Sequence, residues 1–157
     1  MDSSVKSRRA RLLVIDDDKS ITDAMSMMFE RLGYIVDVAN NGREAIQKSG
    51  ENFYHVALID IRLPDMSGVE LLTKLKESYP KMVKIIITGY PDLENSVQAL
   101  NVGADGYVIK PFKPQELTAT IKKKIKEQAE SAATTQEHLA NFIQSRIREI
   151  DSASNRA

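Results

Sequence analysis

The sequence predicts an α/β domain built on a parallel sheet of five strands, doubly wound, with helices on both faces. Three observations carry this. Short, almost continuous apolar runs alternate five times with segments whose apolar residues recur every three or four positions. Each apolar run ends abruptly, most of them on a polar side chain that could serve chemistry. The chain has 157 residues, enough for about one ordinary domain.

The elements follow in order. Residues 12–15 are a buried strand stopped by Asp16, Asp17 and Asp18. Ile21, Met25, Met28, Phe29 and Leu32 mark one face of a helix, and Gly33 ends it. Residues 34–39 form the second strand. Asn41 and Glu44 have the spacing of a capping box and open the second helix. Residues 56–59 are the third strand, ending at Asp60. Ser67 and Glu70 form another capping box, followed by Val69, Leu72 and Leu75 on one face. Residues 83–87 are the fourth strand, ending at Thr88. Leu93, Val97 and Leu100 mark a fourth helix. Gly103 and Gly106 bracket a turn into a short fifth strand, residues 107–109, ending at Lys110. Pro114 suits the first turn of a fifth helix, where its missing N–H is not needed.

Composition narrows the function. Lys and Arg number 22 and Asp and Glu 22, so no whole-chain basic field exists to attract nucleic acid. No cysteine is present, which excludes thiolate zinc sites and thiol nucleophiles. Two histidines, His55 and His138, leave any divalent metal to oxygen ligands. No segment reaches the roughly 18 apolar residues needed to span a bilayer, and the apolar stretch after the basic residues near the start is too short for a signal peptide. A cytoplasmic protein is the expectation. Residues 1–10 are expected to be a disordered basic arm, 11–126 the folded domain, 127–151 a helical extension and 152–157 a frayed tail.

Asp16, Asp17 and Asp60 converge at the carboxyl edge of the sheet. Crowded like charges are unfavourable without a cation, and Mg²⁺, which takes a few carboxylates and keeps several waters, is the natural remedy. Lys110 adds a fixed positive charge and Thr88 a hydroxyl. Around one carboxylate this arrangement accepts a phosphoryl group: Asp60 can act as nucleophile, with Mg²⁺ and Lys110 offsetting the charge on the transferred oxygens. Other polar residues have plainer roles. Asp18 caps the following helix, Asp65 belongs to a turn, His55 is structural and His138 lies on the surface.

Four strings in order carry a resemblance: Leu13-Val-Ile-Asp-Asp-Asp18, Leu58-Ile-Asp-Ile-Arg-Leu-Pro-Asp-Met-Ser-Gly68, Thr88-Gly89 and Tyr107-Val-Ile-Lys-Pro-Phe112. Residues from about 11 to 126 resemble the receiver domain of two-component response regulators. The resemblance implies a flavodoxin-like strand order, 2-1-3-4-5. It implies that Asp60 is the phosphoacceptor and that Asp17, Asp60 and the backbone carbonyl of Arg62 bind Mg²⁺ directly, with Asp16 acting through water. Thr88, the Gly89 amide and Lys110 would bind the phosphoryl group. Thr88 and Tyr107 would form the switch, and the Lys110–Pro111 bond would be cis. Arg62 and Tyr90 occupy positions that tune dephosphorylation, and their bulk points to a long-lived phosphoryl group.

The implied partners are a histidine kinase or histidine phosphotransfer protein and a downstream protein, contacted through the fourth helix, fifth strand and fifth helix. A phosphorelay intermediate is the alternative. An aspartyl phosphatase of similar fold is disfavoured, because Arg62 stands where its second carboxylate would be. A phosphorylation-independent interaction domain is disfavoured by the complete acidic set. No enzyme activity beyond slow self-phosphorylation and self-dephosphorylation is expected, nor is contact with a membrane. Too few residues follow the domain for a winged helix, so direct DNA binding is not expected. Leu139, Phe142, Ile143, Ile147 and Ile150 form a stripe on the extension. It could fold back on the domain, form a homodimer or dock on another protein. The Thr134-Thr135 pair suggests that this helix is separate from the fifth or kinked against it.

Overall fold

The computed structural model describes residues 9–89 and 92–155. Strands β1 (Arg11–Ile15), β2 (Ile35–Ala39), β3 (Val56–Asp60), β4 (Val83–Thr88) and β5 (Gly106–Ile109) form a parallel sheet in the order β2-β1-β3-β4-β5. Helices α1 (Lys19–Arg31), α2 (Gly42–Glu51), α3 (Gly68–Lys74), α4 (Leu93–Asn101) and α5 (Pro114–Ser154) follow the strands in turn. The expected class and strand order are both observed.

Alternation along each strand divides the core in two. Leu13, Ile15, Ala57, Ile59 and Ile86 face α2, α3 and α4, meeting Ala45, Leu71, Leu72 and Ala99. Leu12, Val14, Leu58, Ile85 and Ile87 face α1 and α5, meeting Met25, Phe29, Leu117 and Ile121. Both faces of β1, β3 and β4 are thus buried, which is why these strands read as near-continuous apolar runs; the exception is Lys84 in β4, buried with its Nζ donating to Leu72 O at 3.2 Å.

The helix ends obey local chemistry. Glu44 N–H donates to the Asn41 side chain at 2.8 Å, and Glu70 N–H to the Ser67 hydroxyl at 3.0 Å. The Glu44 carboxylate reaches back to the Asn40 N–H at 3.0 Å, one residue before the cap. Gly33 has φ +95°, and Tyr34 N–H and Gly33 N–H close onto the carbonyls of Phe29 and Glu30. That is a Schellman ending, with its apolar contact supplied by the Phe29 and Tyr34 rings, 6.1 Å apart edge-to-face.

Two expectations change. α4 forms, but Val97 and Leu100 are about half exposed, while Ala99 is fully buried. Val97 and Leu100, two of the residues that marked this helix, therefore look outward. α5 is a continuous helix of 41 residues, not two. The threonines that suggested a break are accommodated, because the hydroxyls of Thr134 and Thr135 donate back to the carbonyls of Glu130 and Ser131. The helix also continues to Ser154, into the segment expected to fray. Its packed face runs through Leu117, Ile121 and Gln128. Both side-chain N–H bonds of Gln128 are used, on the carbonyls of His55 (3.0 Å) and Lys81 (2.8 Å), and the Tyr79 hydroxyl donates to Ala132 O at 3.0 Å. Beyond this strap the stripe from Leu139 to Ile150 is exposed. Among the described residues, no helix is long and apolar enough to cross a membrane. Residues 1–8 of the expected arm and Tyr90 lie outside the described residues.

Candidate functional site

The carboxyl ends of β1 and β3, adjacent in the sheet, deliver the acidic residues. Asp16 and Asp17 follow β1, and Asp60 ends β3. One carboxylate oxygen from each of the three lies within 4.8 Å of the others. Asp16 is buried, Asp60 half-buried and Asp17 exposed. Lys110, just past β5, points its Nζ at Asp16 Oδ2, 3.2 Å away. Asp16 Oδ1 accepts the Asp18 N–H at 2.9 Å, so Asp16 is held from both sides. Asp60 Oδ1 accepts a long bond of 3.4 Å from Arg62 N–H.

This crowding has an electrostatic signature. The Asp60 carboxyl is pushed up to about 6, first by burial and then by the charge of Asp16, with Lys110 pulling the other way. Asp18, by contrast, is an exposed cap: its carboxylate accepts the N–H and hydroxyl of Ser20, which lower its pKa. All the clustered donors are carboxylate oxygens, a set that fits a hard cation such as Mg²⁺ and nothing soft.

The remaining expected residues sit around this cluster. Thr88 is fully buried at the end of β4. Tyr107 pairs with Ile86 across β4 and β5, which puts it on the same face as Thr88, one diagonal step away. The Tyr107 hydroxyl is buried and makes no hydrogen bond. Gly89 lies beside Lys110, where an added Cβ would be 3.8 Å from the lysine Cβ. The Lys110–Pro111 bond is cis. A cleft of about 750 Å³, lined by Arg62, Ser67, Gly89 and Asp92 among others, opens beside the loop after β3. Gly68 abuts this loop so closely that a Cβ would meet the Asp60 carbonyl at 2.6 Å.

His55 lies at the opposite end of the sheet, where its Nδ1 accepts the Arg11 N–H at 2.9 Å, and His138 is exposed on α5. Sequence reasoning missed two residues. Gln128 straps α5 to the sheet; its spacing of seven from Ile121 and eleven from Leu117 puts it on their face of the helix and was a usable signal. Asp65, read as a turn residue, makes long-range bonds to α2 that no local pattern announces.

A model of the response regulator receiver domain matches residues 12–122. The chain belongs to that family. Among solved structures, a CheY-like receiver domain protein from Methanospirillum hungatei JF-1 is 44% identical, with a TM-score of 0.76, over 79% of this chain and 99% of that one. The beryllofluoride-activated NtrC4 receiver domain dimer is 38% identical with a TM-score of 0.70, over 75% of this chain and 98% of that one. The transcriptional regulatory protein SrrA of Staphylococcus aureus is 32% identical over 146 residues. That match covers 92% of this chain but 60% of SrrA, so the chain spans less than two thirds of that relative. Receiver domains are signalling phosphoacceptors that bind Mg²⁺ in an acidic pocket, and this receiver has the three carboxylates of such a pocket.

Proposed function

We propose that this receiver accepts a phosphoryl group on Asp60 from a histidine kinase or histidine phosphotransfer protein and signals through protein contacts. The observation that carries this is the convergence of Asp16, Asp17 and Asp60 beside the Lys110 ammonium. Asp17, Asp60 and the Arg62 carbonyl would hold Mg²⁺ directly, and Asp16 through water. When bound, the ion supplies positive charge against the carboxylates and the incoming phosphoryl oxygens.

An ionised Asp60 oxygen attacks phosphorus as the bond to the donor imidazole nitrogen breaks, leaving an acyl phosphate and a free imidazole. With its carboxyl at about 6, Asp60 is largely ionised at neutral pH even without metal. Lys110 exchanges Asp16 for the phosphoryl oxygens, and the Thr88 hydroxyl and Gly89 N–H donate to them. The buried, unbonded hydroxyl of Tyr107 supports an aromatic that trades positions as Thr88 moves, a bistable element biased by local charge. The exposed Val97 and Leu100 of α4 and Ile109 of β5 support a readout surface on α4, β5 and α5.

The stripe of α5 supports a homodimer. Leu139, Phe142, Ile143, Ile147 and Ile150 are each about half exposed or more, and two such helices together offer on the order of 1,000 Å² of apolar surface, the threshold for a specific interface.

A small-molecule phosphodonor tests the acceptor role. A Mg²⁺-dependent gain of one phosphoryl group, lost in Asp60→Asn, is expected; no gain, or one that survives the substitution, overturns it. Steady turnover of a phosphate ester would instead indicate a phosphatase, and onward transfer to a histidine protein a relay intermediate.

A further inference from the structure

The loop from β3 to α3 is closed at its base. Gly68 N–H donates to Ile61 O at 2.8 Å, and Arg62 pairs with Ser67 in an antiparallel bridge. Its tip is tied to a different helix. Asp65 Oδ1 accepts the N–H of Gly42 at 2.8 Å, and Asp65 Oδ2 the N–H of Arg43 at 2.9 Å. These are the first two residues of α2, whose N–H groups have no partner inside the helix. A second contact reinforces the tie: a Cβ on Gly42 would lie 2.5 Å from Met66 Cγ, so the Met66 side chain sits directly on the start of α2. Base and tip are therefore both held, and only Leu63 and Pro64 separate Arg62 at the base from Asp65 at the tip.

We propose that Asp65 is a positioning residue for the metal site: by latching the loop tip to α2 it fixes the backbone at Arg62, whose carbonyl is the metal donor. This rests on the Mg²⁺ reading above. The latch uses a charged acceptor on two otherwise orphaned donors, the stronger kind of hydrogen bond. Those bonds lower the Asp65 pKa, the one from Gly42 most, so the latch persists across the neutral range. Removing it leaves the tip held only by the Met66 contact, with Asp16, Asp17 and Asp60 untouched.

The test compares the full chain with Asp65→Ala and Asp65→Asn, without phosphodonor. Mg²⁺ affinity is read by titration calorimetry, metal-free stability by urea unfolding, and the amides of Gly42 and Arg43 by hydrogen exchange. Loss of a direct partner of a metal ligand costs 10–100-fold in affinity, so a partner one step further out is expected to cost about three- to tenfold in Asp65→Ala. Asp65→Asn, which keeps one acceptor oxygen, falls between it and wild type. Exchange at Gly42 and Arg43 rises in both. Faster exchange or lower stability with an unchanged Mg²⁺ affinity overturns the proposal and leaves Asp65 a helix cap. A wild type that takes up no Mg²⁺ overturns the reading of the acidic site, and this role of Asp65 with it.

Discussion

Replacing Asp60 by Asn is expected to stabilise the metal-free protein at alkaline pH. The carboxyl rises from 3.8 in the free side chain to about 6 in the fold, chiefly through burial and the charge of Asp16. Two units correspond to a ceiling of about 3 kcal/mol, at 1.36 kcal/mol per unit. Asp60 is only half-buried and solvent screens it, so about 1.5 kcal/mol is the working figure. The sign follows from proton binding. Between pH 4 and 6 the folded state holds more of the Asp60 proton than the unfolded state, so this group makes stability fall as pH rises through that window. Above it the penalty is complete; below it the carboxyl is neutral in both states and the penalty disappears. Urea unfolding in EDTA should therefore show Asp60→Asn more stable than wild type by about 1.5 kcal/mol at pH 8 and nearly equal to it at pH 3.5. Mg²⁺ should reverse the order. An ion at about 100 times its Kd stabilises the folded wild type by about 2.7 kcal/mol, more than the charge penalty, while the variant, one ligand short, gains less. A difference at pH 8 in EDTA that is absent, or that is just as large at pH 3.5, would refute the electrostatic account of the cluster.

Gly68→Ala should lower stability by about 2 kcal/mol and weaken Mg²⁺ uptake, measured by urea unfolding and calorimetry, because the new Cβ meets the Asp60 carbonyl at 2.6 Å and Ile61 Cα at 2.9 Å. Gln128→Ala should cost about 1 kcal/mol. It leaves Lys81 O without the side-chain donor while His55 O keeps Val83 N–H, and amide exchange should rise in the second half of α5. Ile143→Asp combined with Ile147→Asp should convert a sedimenting dimer to monomer and abolish the concentration dependence of the unfolding midpoint, with no further loss of stability, since both side chains are about half exposed in the single chain. Small residues at Arg62 and Tyr90 should shorten the phosphoryl lifetime in a phosphate-release assay; a longer lifetime would sink the steric account of slow hydrolysis.

The sheet was legible because burial on both faces leaves a clear mark: residues 12–15 and 56–59 are wholly apolar, and residues 83–87 are apolar except for Lys84. The acidic cluster was legible for a topological reason, since parallel strands bring their carboxyl ends to one edge. Three features were not. α4 shows helical spacing whichever way its apolar residues point, so Val97 and Leu100 could not announce their exposure. The Thr134-Thr135 pair carries low helix propensity, but propensity is weak against a helix already anchored at Leu117, Ile121 and Gln128. The tie between Asp65 and α2 joins residues more than 20 positions apart, and nothing in either local stretch encodes the other.

The strap at Gln128 turns α5 into an outrigger. From that residue to Ser154 the helix rises about 39 Å, so a tilt of about 5° at the sheet sweeps its far end through about 3 Å. A small rearrangement of the domain would thereby gain leverage: motion too slight to disturb its packing would become, at the tip, large enough to change which side chains mesh.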